Sequence, residues 1–176
     1  MLGVRLIEEE RHVATVAPLG WHLVVHLGAE DLVRYRDVLL ELDLPVVVDH
    51  MGRVPTDGGV EQEAFRLLLQ ALERPDWWVK VCGAERISAD GPPFHDAVPF
   101  ARALIEAGPD RVLWGTDWPH PNIARHMPDD GALVDLIPRF APDPEMQRRL
   151  LVDNPARLYA VSYTHLRAHE TVLDLV

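Results

Sequence analysis

Short apolar runs alternate with longer amphipathic runs along most of this chain, and that order restricts the fold more than any other feature. Runs rich in Val, Leu and Trp predict strands, and the segments between them place apolar residues at helical spacing with charges opposite. Strands are predicted at residues 3–7, 21–26, 45–49, 77–81 and 111–115. Helices are predicted at 29–43, 61–73, 96–107, 131–140 and 145–152, with a weaker candidate at 8–17. Strands and helices in this order are typical of parallel strands joined by crossover helices, so we predict an α/β fold.

Three of the predicted helix ends carry recognisable signals. Asp96 is a candidate N-cap for the helix over 96–107, and Gly108 is a candidate stop at its C-terminal end. Asp143 followed by Pro144 is a typical opening for the helix over 145–152.

Polar residues follow the carboxyl ends of the predicted strands, at 49–53, 85–86 and 116–120. A parallel barrel collects such ends into one mouth, where its active site lies. The sequence contains neither GxGxxG nor GxxxxGK[ST], which weakens the case for a doubly wound nucleotide-binding sheet. Fewer strands are predicted than the eight that a barrel needs. We therefore predict the C-terminal portion of a (β/α)₈ TIM-type barrel, with parallel strands inside and helices outside.

Charge and cysteine content exclude several functional classes. The chain has 17 basic and 28 acidic residues, a formal net charge of −11, so it carries no basic footprint for nucleic acid and is repelled by anionic membranes. No apolar stretch is long enough for a transmembrane helix. Cys82 is the single cysteine, which excludes an internal disulfide and favours a cytoplasmic location.

Asp117 and His50 are the strongest catalytic candidates. Asp117 follows the strand at 111–115 and precedes Trp118; a carboxylate there suits a general base for water, although most loop aspartates form turns or caps. His50 ends the run Val46–Val48, where it is suited to polarise a carbonyl or bind a metal. A hydrogen-bonded core histidine is an equally good interpretation.

Arginines recur near the ends of the predicted strands, whereas metal ligands are sparse. Arg53 and Arg86 follow strand ends, and Arg5 lies inside one; they suit capture of carboxylates, although arginines of acidic proteins often pair with neighbouring acids. His22 and His26, on a strand, lie about 13 Å apart, too far to share one ion. The sequence contains no HxH, and Cys82 is interpreted as a small core residue.

Four segments resemble one family. VVVDHMGR (46–53), WVKVCGAERIS (78–88), RVLWGTDWPH (111–120) and DNPARLY (153–159) resemble the amidohydrolase-related (amidohydrolase 2) family of (β/α)₈ barrels. Within that family they are most similar to the 2-pyrone-4,6-dicarboxylate lactonases and related sugar lactonases. The resemblance covers about residues 1–160 and implies hydrolysis of a cyclic ester at the barrel mouth.

The resemblance also implies roles for individual residues. Asp117 corresponds to the general base after the last strand, and His50 to the histidine after the fifth, which polarises the carbonyl. The arginines implied to bind the carboxylates of a small anionic substrate are Arg53, Arg86, Arg5 and Arg11. His26 stands where the lactonases more often have tyrosine, so the substrate stays open. This subgroup is implied to work without a cofactor.

Two alternatives remain open. A metal-dependent hydrolase or decarboxylase of the same superfamily would use His50 and Asp117 to bind a divalent metal such as zinc. An inactive, truncated fragment would have no catalysis at all. The discriminating feature is the arginine set, for which a metal site has no need.

The two ends of the chain depart from the family pattern. The family begins with a strand that carries HxH, so we expect its first two or three strands to be missing here and the fragment to be inactive. Residues 1–161 are expected to form a partial barrel domain. Residues 162–176 are expected to be a non-native tail, although a genuine helix with Leu166, Val172 and Leu173 packed inward is the alternative.

Overall fold

Four parallel strands form the sheet in the computed structural model, which describes residues 17–123 and 126–159. The strands are β1 (Leu23–Val25), β2 (Val46–Val48), β3 (Trp77–Lys80) and β4 (Val112–Leu113), and they lie side by side in chain order. Every pair is parallel, with Val25 opposite Val48, Val48 opposite Val79, and Val79 opposite Val112. The predicted parallel α/β fold is confirmed, and the predicted strand at 3–7 lies outside the described residues.

The sheet is buried on both faces, as the continuous apolar runs predict. Val47, Trp78 and Leu113 form a small cluster on one face, which Leu158 helps to cover. Val46, Val48 and Val79 point to the opposite face and join the large core beneath the helices. Because side chains alternate along a strand, every second residue after Val47, Trp78 and Leu113 lies on the same face as they do, at the carboxyl ends of the strands.

Nine helices cover the described part of the sheet and its ends. They are α1 (Ala29–Arg34), α2 (Arg36–Leu40), α3 (Glu63–Ala71), α4 (Ala84–Ile87), α5 (Val98–Ala107), α6 (Asp130–Val134), α7 (Ile137–Phe140), α8 (Pro144–Arg148) and α9 (Asn154–Leu158). A π-helical turn at Arg149–Asp153 joins the last two, and 3₁₀ turns occur at Ala17–Leu19, His50–Arg53, Thr56–Gly58 and His95–Ala97. None of the helices within the described ranges is long and apolar enough to cross a membrane.

Two predicted helices are each divided in the structure. The helix predicted at 29–43 breaks at Tyr35, whose φ of −105° and ψ of 12° leave helical geometry, and forms α1 and α2. The helix predicted at 131–140 becomes α6 and α7. Pro138 has no N–H to donate to the carbonyl four residues earlier, so an uninterrupted helix would leave that carbonyl without its partner.

The predicted helix ends are confirmed at two places and wrong at one. Asp143 caps α8 by accepting a hydrogen bond from the Glu145 N–H, and Gly108 follows the last residue of α5. The Asp96 cap is wrong, because α5 begins at Val98 and no side chain caps it. The Asp96 carboxylate instead accepts four hydrogen bonds, one from residue 56 and three from residues 88–90.

Alternate helices pack against each other, α1 against α3, α3 against α5 and α5 against α7, and α9 packs against β4. Phe65 on α3 meets Phe100 on α5 edge to face, with ring centroids 4.8 Å apart. Asn154 at the start of α9 is fully buried and donates from Nδ2 to the carbonyls of Pro109 and Val112, both at 2.9 Å. This contact fixes the last helix to the base of β4.

Candidate active site

The carboxyl ends of β2, β3 and β4 bring the main catalytic candidates together. His50 follows β2, Arg86 lies in α4 after β3, and Asp117 follows β4. His50 Nε2 lies 3.6 Å from Asp117 Oδ1, and these side chains are 3% and 6% exposed. The two candidates are therefore neighbours although 67 positions separate them in the chain. The parallel topology places all three groups at one edge of the sheet.

Both candidates sit on a backbone conformation that non-glycine residues rarely adopt. The φ angles of His50 and Asp117 are +50° and +66°. Left-handed backbone at such residues costs free energy of the order of 1 kcal/mol or more and clusters at functional sites. The turn after Asp117 is closed by a hydrogen bond from the His120 N–H to the Asp117 carbonyl at 2.8 Å. The strand ends are thus bent to hold these side chains at the rim.

Arg86 contacts the carboxylate of Asp117 directly. Its Nε donates to Oδ2 at 2.6 Å, its Nη2 forms an ion pair with the same oxygen, and Nη2 also donates to the Pro121 carbonyl at 3.1 Å. The Arg86 side chain is 7% exposed. The guanidinium therefore fixes one carboxylate oxygen, while the other faces His50. Its implied contact with a substrate carboxylate stays a prediction.

His50 is enclosed by groups from three elements. Its Nδ1 lies 3.4 Å from Cys82 Sγ, and its Nε2 lies 3.6 Å from Asp49 Oδ2. The His26 ring packs edge to face on it with centroids 5.0 Å apart. Burial lowers the pKa of His50, and this outweighs the carboxylates of Asp49 and Asp117, which raise it. The lowered pKa favours the neutral imidazole at pH 7.

The remaining predicted binding residues lie at the edge of this cluster. Arg53 is exposed, and its Nη1 lies 3.5 Å from Nε2 of His26. Arg53 and Arg86 both line a cavity of about 290 Å³ beside the site, whose wall also includes Ser88, Asn122 and His126. Two guanidinium groups thus border one cavity. Arg5 and Arg11 lie outside the described residues.

Four charged or ionisable neighbours of the site received no individual role from the sequence: three lie within the polar segments predicted after the strand ends, and Lys80 was missed altogether. Lys80 Nζ lies 3.4 Å from Asp49 Oδ1, and His120 Nδ1 lies 3.8 Å from Glu85 Oε1. Strand alternation could have found two of them, because Asp49 continues the face of Val47, and Lys80 that of Trp78. Cys82 is buried as predicted, but its contact with His50 was not predicted.

Glu85 is the most deeply buried acid of the cluster. Its side chain is 0% exposed, and neither carboxylate oxygen has a hydrogen-bond partner among the described residues. Burial raises its pKa, and the Asp117 charge adds to that effect. The nearest side-chain nitrogens are Nε of Arg86 and Nδ1 of His120, each 3.8 Å from Oε1.

Two groups of side chains have the geometry to hold a metal ion. Within each group, one ligand atom per residue lies within 4.8 Å of the others; the groups are His26, Asp49 and His50, and Glu85, Asp117 and His120. The donor sets are of a kind that zinc accepts. Guanidinium groups oppose a second cation at both, since Arg53 faces His26 and Arg86 holds Asp117.

Comparisons with known proteins relate this chain to one family. The family described as Amidohydrolase matches residues 5–161. The chain is 52% identical over 153 residues to a 2-pyrone-4,6-dicarboxylate hydrolase of Comamonas testosteroni, covering 82% of this chain and 50% of that protein. It is 45% identical over 145 residues to a 4-sulfomuconolactone hydrolase of Rhizobium radiobacter, covering 81% and 48%. The chain thus spans about half the length of these curated relatives.

A solved structure shows the same architecture. The crystal structure of a probable 2-pyrone-4,6-dicarboxylic acid hydrolase from Acinetobacter baumannii, with citric acid bound, superposes with a TM-score of 0.75 at 25% identity. The match covers 88% of this chain and 58% of that one. The fold of the described residues is therefore a portion of the fold of that larger protein.

Proposed function

This chain belongs to the amidohydrolase family, and on that premise we propose that it supplies part of the active site of a hydrolase that opens a lactone bearing acidic groups. The names of the two curated relatives support this substrate class, because each denotes a lactone that carries carboxylate or sulfonate groups.

One observation carries the proposal. A carboxylate (Asp117) and a neutral imidazole (His50) lie side by side, 3.6 Å apart, at the rim of a parallel sheet. Arg86 holds the far oxygen of that carboxylate, and Arg53 borders the adjoining cavity. A base, a hydrogen-bond donor and two anion-binding groups are the parts that hydrolysis of an anionic ester requires.

In the proposed mechanism Asp117 takes a proton from water through Oδ1. The resulting hydroxide oxygen attacks the carbonyl carbon of the ring, while His50 donates a hydrogen bond from Nε2 to the carbonyl oxygen as negative charge develops on it. The bond from that carbon to the ring oxygen then breaks. The ring oxygen leaves and takes the proton from Asp117, which yields a hydroxyl or enol group and a new carboxylic acid that ionises.

The arginines provide the attraction for the substrate. The chain carries a formal net charge of −11, so an anion approaches it only where positive charge is concentrated. Arg53 and Arg86 supply such a concentration at the cavity, and Arg5 and Arg11 are proposed to add to it. Charge-assisted, paired hydrogen bonds from guanidinium to carboxylate are strong and directional.

The base is tested by Asp117→Asn, which keeps the shape of the side chain and removes the proton acceptor. The assay uses a chimera that joins this chain to the part of the Comamonas relative that it does not match, and follows loss of the absorbance of 2-pyrone-4,6-dicarboxylate. We expect kcat to fall by roughly 10²–10⁴-fold. Asp135→Asn, at an exposed position of the chain, is the matched control. Near-normal kcat for Asp117→Asn would overturn the proposed role.

The binding role is tested by Arg53→Met in the same chimera. Loss of a charge-assisted pair that is made equally in ground and transition states raises KM by roughly 10–150-fold with little change in kcat. Arg66→Met, on an exposed helix surface, is the control. Arg86→Met should raise KM and also lower kcat, because Arg86 holds Asp117 as well. An unchanged KM for Arg53→Met would contradict the binding role.

A metal-dependent hydrolase is the second candidate, and the grouping of potential ligand atoms favours it. The sequence prediction assigns one zinc ion to His50 and Asp117, whereas the structure groups His50 with His26 and Asp49, and Asp117 with Glu85 and His120. A zinc ion held by either group would act as a Lewis acid and lower the pKa of a bound water. Metal content of the purified chimera, and kcat before and after chelation, separate the two candidates. Full activity of a metal-free chimera supports the metal-independent mechanism; loss of activity on chelation, restored by zinc, supports the second candidate.

A further inference from the structure

We propose that Cys82 is a positioning residue, whose thiol donates a hydrogen bond to Nδ1 of His50 and so fixes the imidazole hydrogen on Nε2. The inference rests on the proposed function, in which His50 donates from Nε2 to the carbonyl of the lactone. Neutral histidine has two tautomers, and only one of them presents a hydrogen to the substrate.

The thiol has two acceptors within reach, and the geometry favours the imidazole. Cys82 Sγ lies 3.4 Å from His50 Nδ1 and 3.9 Å from Asp49 Oδ1. The latter oxygen also lies 3.4 Å from the ammonium of Lys80, which offsets its charge. An ordinary cysteine thiol is protonated at pH 7, so the sulfur can act as the donor.

The opposite side of the ring independently favours the same tautomer. His50 Nε2 faces two carboxylate oxygens, Asp49 Oδ2 and Asp117 Oδ1, each at 3.6 Å. An N–H at this position is attracted by both oxygens, whereas a lone pair would be repelled by both. Because the His50 side chain is 3% exposed, little solvent screens these charges.

The backbone after Cys82 holds the ring in register with the thiol. Gly83 has a φ of +72°, and a Cβ added there would lie 2.9 Å from His50 Cβ and 3.1 Å from Nδ1. Only glycine allows the chain to pack this closely against the imidazole. The ring is therefore confined between this backbone and His26, with Nδ1 directed at Cys82.

The tautomer also distinguishes the two candidate functions. A metal bound through Nε2 requires the lone pair on that nitrogen, so the hydrogen would move to Nδ1 and Cys82 would become an acceptor. Cys82 as donor is compatible with His50 acting as a hydrogen-bond donor. Cys82 therefore favours the metal-independent mechanism over the metal site, and it does so from the Nδ1 side of the ring, opposite the nitrogen proposed to contact the substrate.

The tautomer is measured by long-range ¹H–¹⁵N correlation NMR of the full chain labelled with ¹⁵N-histidine. We expect the hydrogen of His50 on Nε2 and an Nδ1 resonance typical of an acceptor in a hydrogen bond. Cys82→Ser keeps an O–H donor and should preserve both signals. Cys82→Ala and Cys82→Val have no donor; the first leaves the site slightly underfilled and the second slightly overfilled, so an effect that both share comes from the lost donor. Both should move Nδ1 toward the resonance of an acceptor without a donor.

The kinetic counterpart uses the chimera. Cys82→Ala and Cys82→Val should lower kcat by about 2- to 12-fold, the effect of one neutral hydrogen bond, with KM unchanged and with Cys82→Ser near normal. A wild-type hydrogen on Nδ1, or an Nδ1 resonance identical in wild type and Cys82→Ala, would overturn the inference. The NMR measurement does not require an active enzyme. If neither the wild-type chimera nor any variant hydrolyses the lactone, that result counts against the proposed function and leaves the inference about Cys82 to the NMR data.

Discussion

Glu85 carries an electrostatic cost that its neighbours do not remove. Its side chain is fully buried, neither oxygen has a hydrogen-bond partner among the described residues, and burial raises its pKa. An uncharged amide of the same shape avoids the desolvation of a carboxylate and can donate to Nδ1 of His120. We therefore expect Glu85→Gln to raise the free energy of unfolding at pH 7 by about 1–3 kcal/mol, the usual cost of a buried polar group without a partner.

The sign of this effect depends on pH. A carboxyl whose pKa is raised on folding binds its proton more tightly in the folded state, so it destabilises the fold above the pKa that it has in the unfolded chain. The gain from Glu85→Gln should therefore shrink as the pH falls through the raised folded pKa, and it should be lost by about 4.3, the ordinary value for glutamate. Urea unfolding at several pH values measures it, with the exposed Glu106→Gln as control. A destabilised Glu85→Gln at pH 7 would show that the carboxylate is needed by the fold.

At the scale of elements, Asp96 joins the turn that begins at Thr56 to the loop at 88–90, which borders the cavity. One carboxylate oxygen accepts from Thr56 Oγ1 at 2.5 Å and from the N–H groups of Ala89 and Asp90, and the other accepts from Ser88 Oγ at 2.6 Å. Burial alone would raise the pKa of Asp96, but these hydrogen bonds outweigh it and lower the pKa. A lowered pKa means that the folded state favours the ionised carboxylate.

The stabilisation that Asp96 provides should therefore change with pH in the opposite direction to the destabilisation by Glu85. Its contribution is fully present above about 3.9, the ordinary pKa of aspartate, and is lost as the pH falls toward the lower folded value. Asp96→Asn should cost about 1.5–3 kcal/mol at pH 7, the range for hydrogen bonds to a charged group, and less at pH 3. Urea unfolding at both pH values checks this, with exposed Asp135→Asn as control. Equal losses of unfolding free energy at pH 7 and pH 3 would contradict the expected role of the Asp96 charge.

Features set by local sequence could be predicted, whereas contacts between distant segments could not. The strands were predictable because runs such as Val46–Val48 are buried on both faces, and the candidates Asp117 and His50 because they directly follow such runs. The Asp96 cap was wrong because a local helix signal competes with distant donors that only the folded loops supply. The contact of Cys82 with His50 was beyond local reasoning, since it depends on strand register and on left-handed backbone at His50 and Gly83.

At the scale of the whole molecule, each of the two edge strands of the described sheet is hydrogen-bonded to a neighbouring strand on one side only. Within the described residues β1 pairs with β2 alone and β4 pairs with β3 alone. The relatives are about twice as long as the matched part, so more chain surrounds this region in them. Free backbone N–H and C=O groups along an edge template pairing with another chain. Large apolar side chains are also exposed, Trp118 at 75% and Met127 at 64%.

We therefore expect the purified chain to associate as its concentration rises, whereas the chimera should form a species of fixed mass. The net charge of −11 opposes association through long-range repulsion, but salt screens that repulsion and leaves edge pairing intact. Raising the ionic strength should consequently increase the average mass of the chain. Size-exclusion chromatography with light scattering, at several protein and salt concentrations, measures this. A monodisperse monomer with a sharp cooperative melt would show that the strand edges are covered within the chain itself.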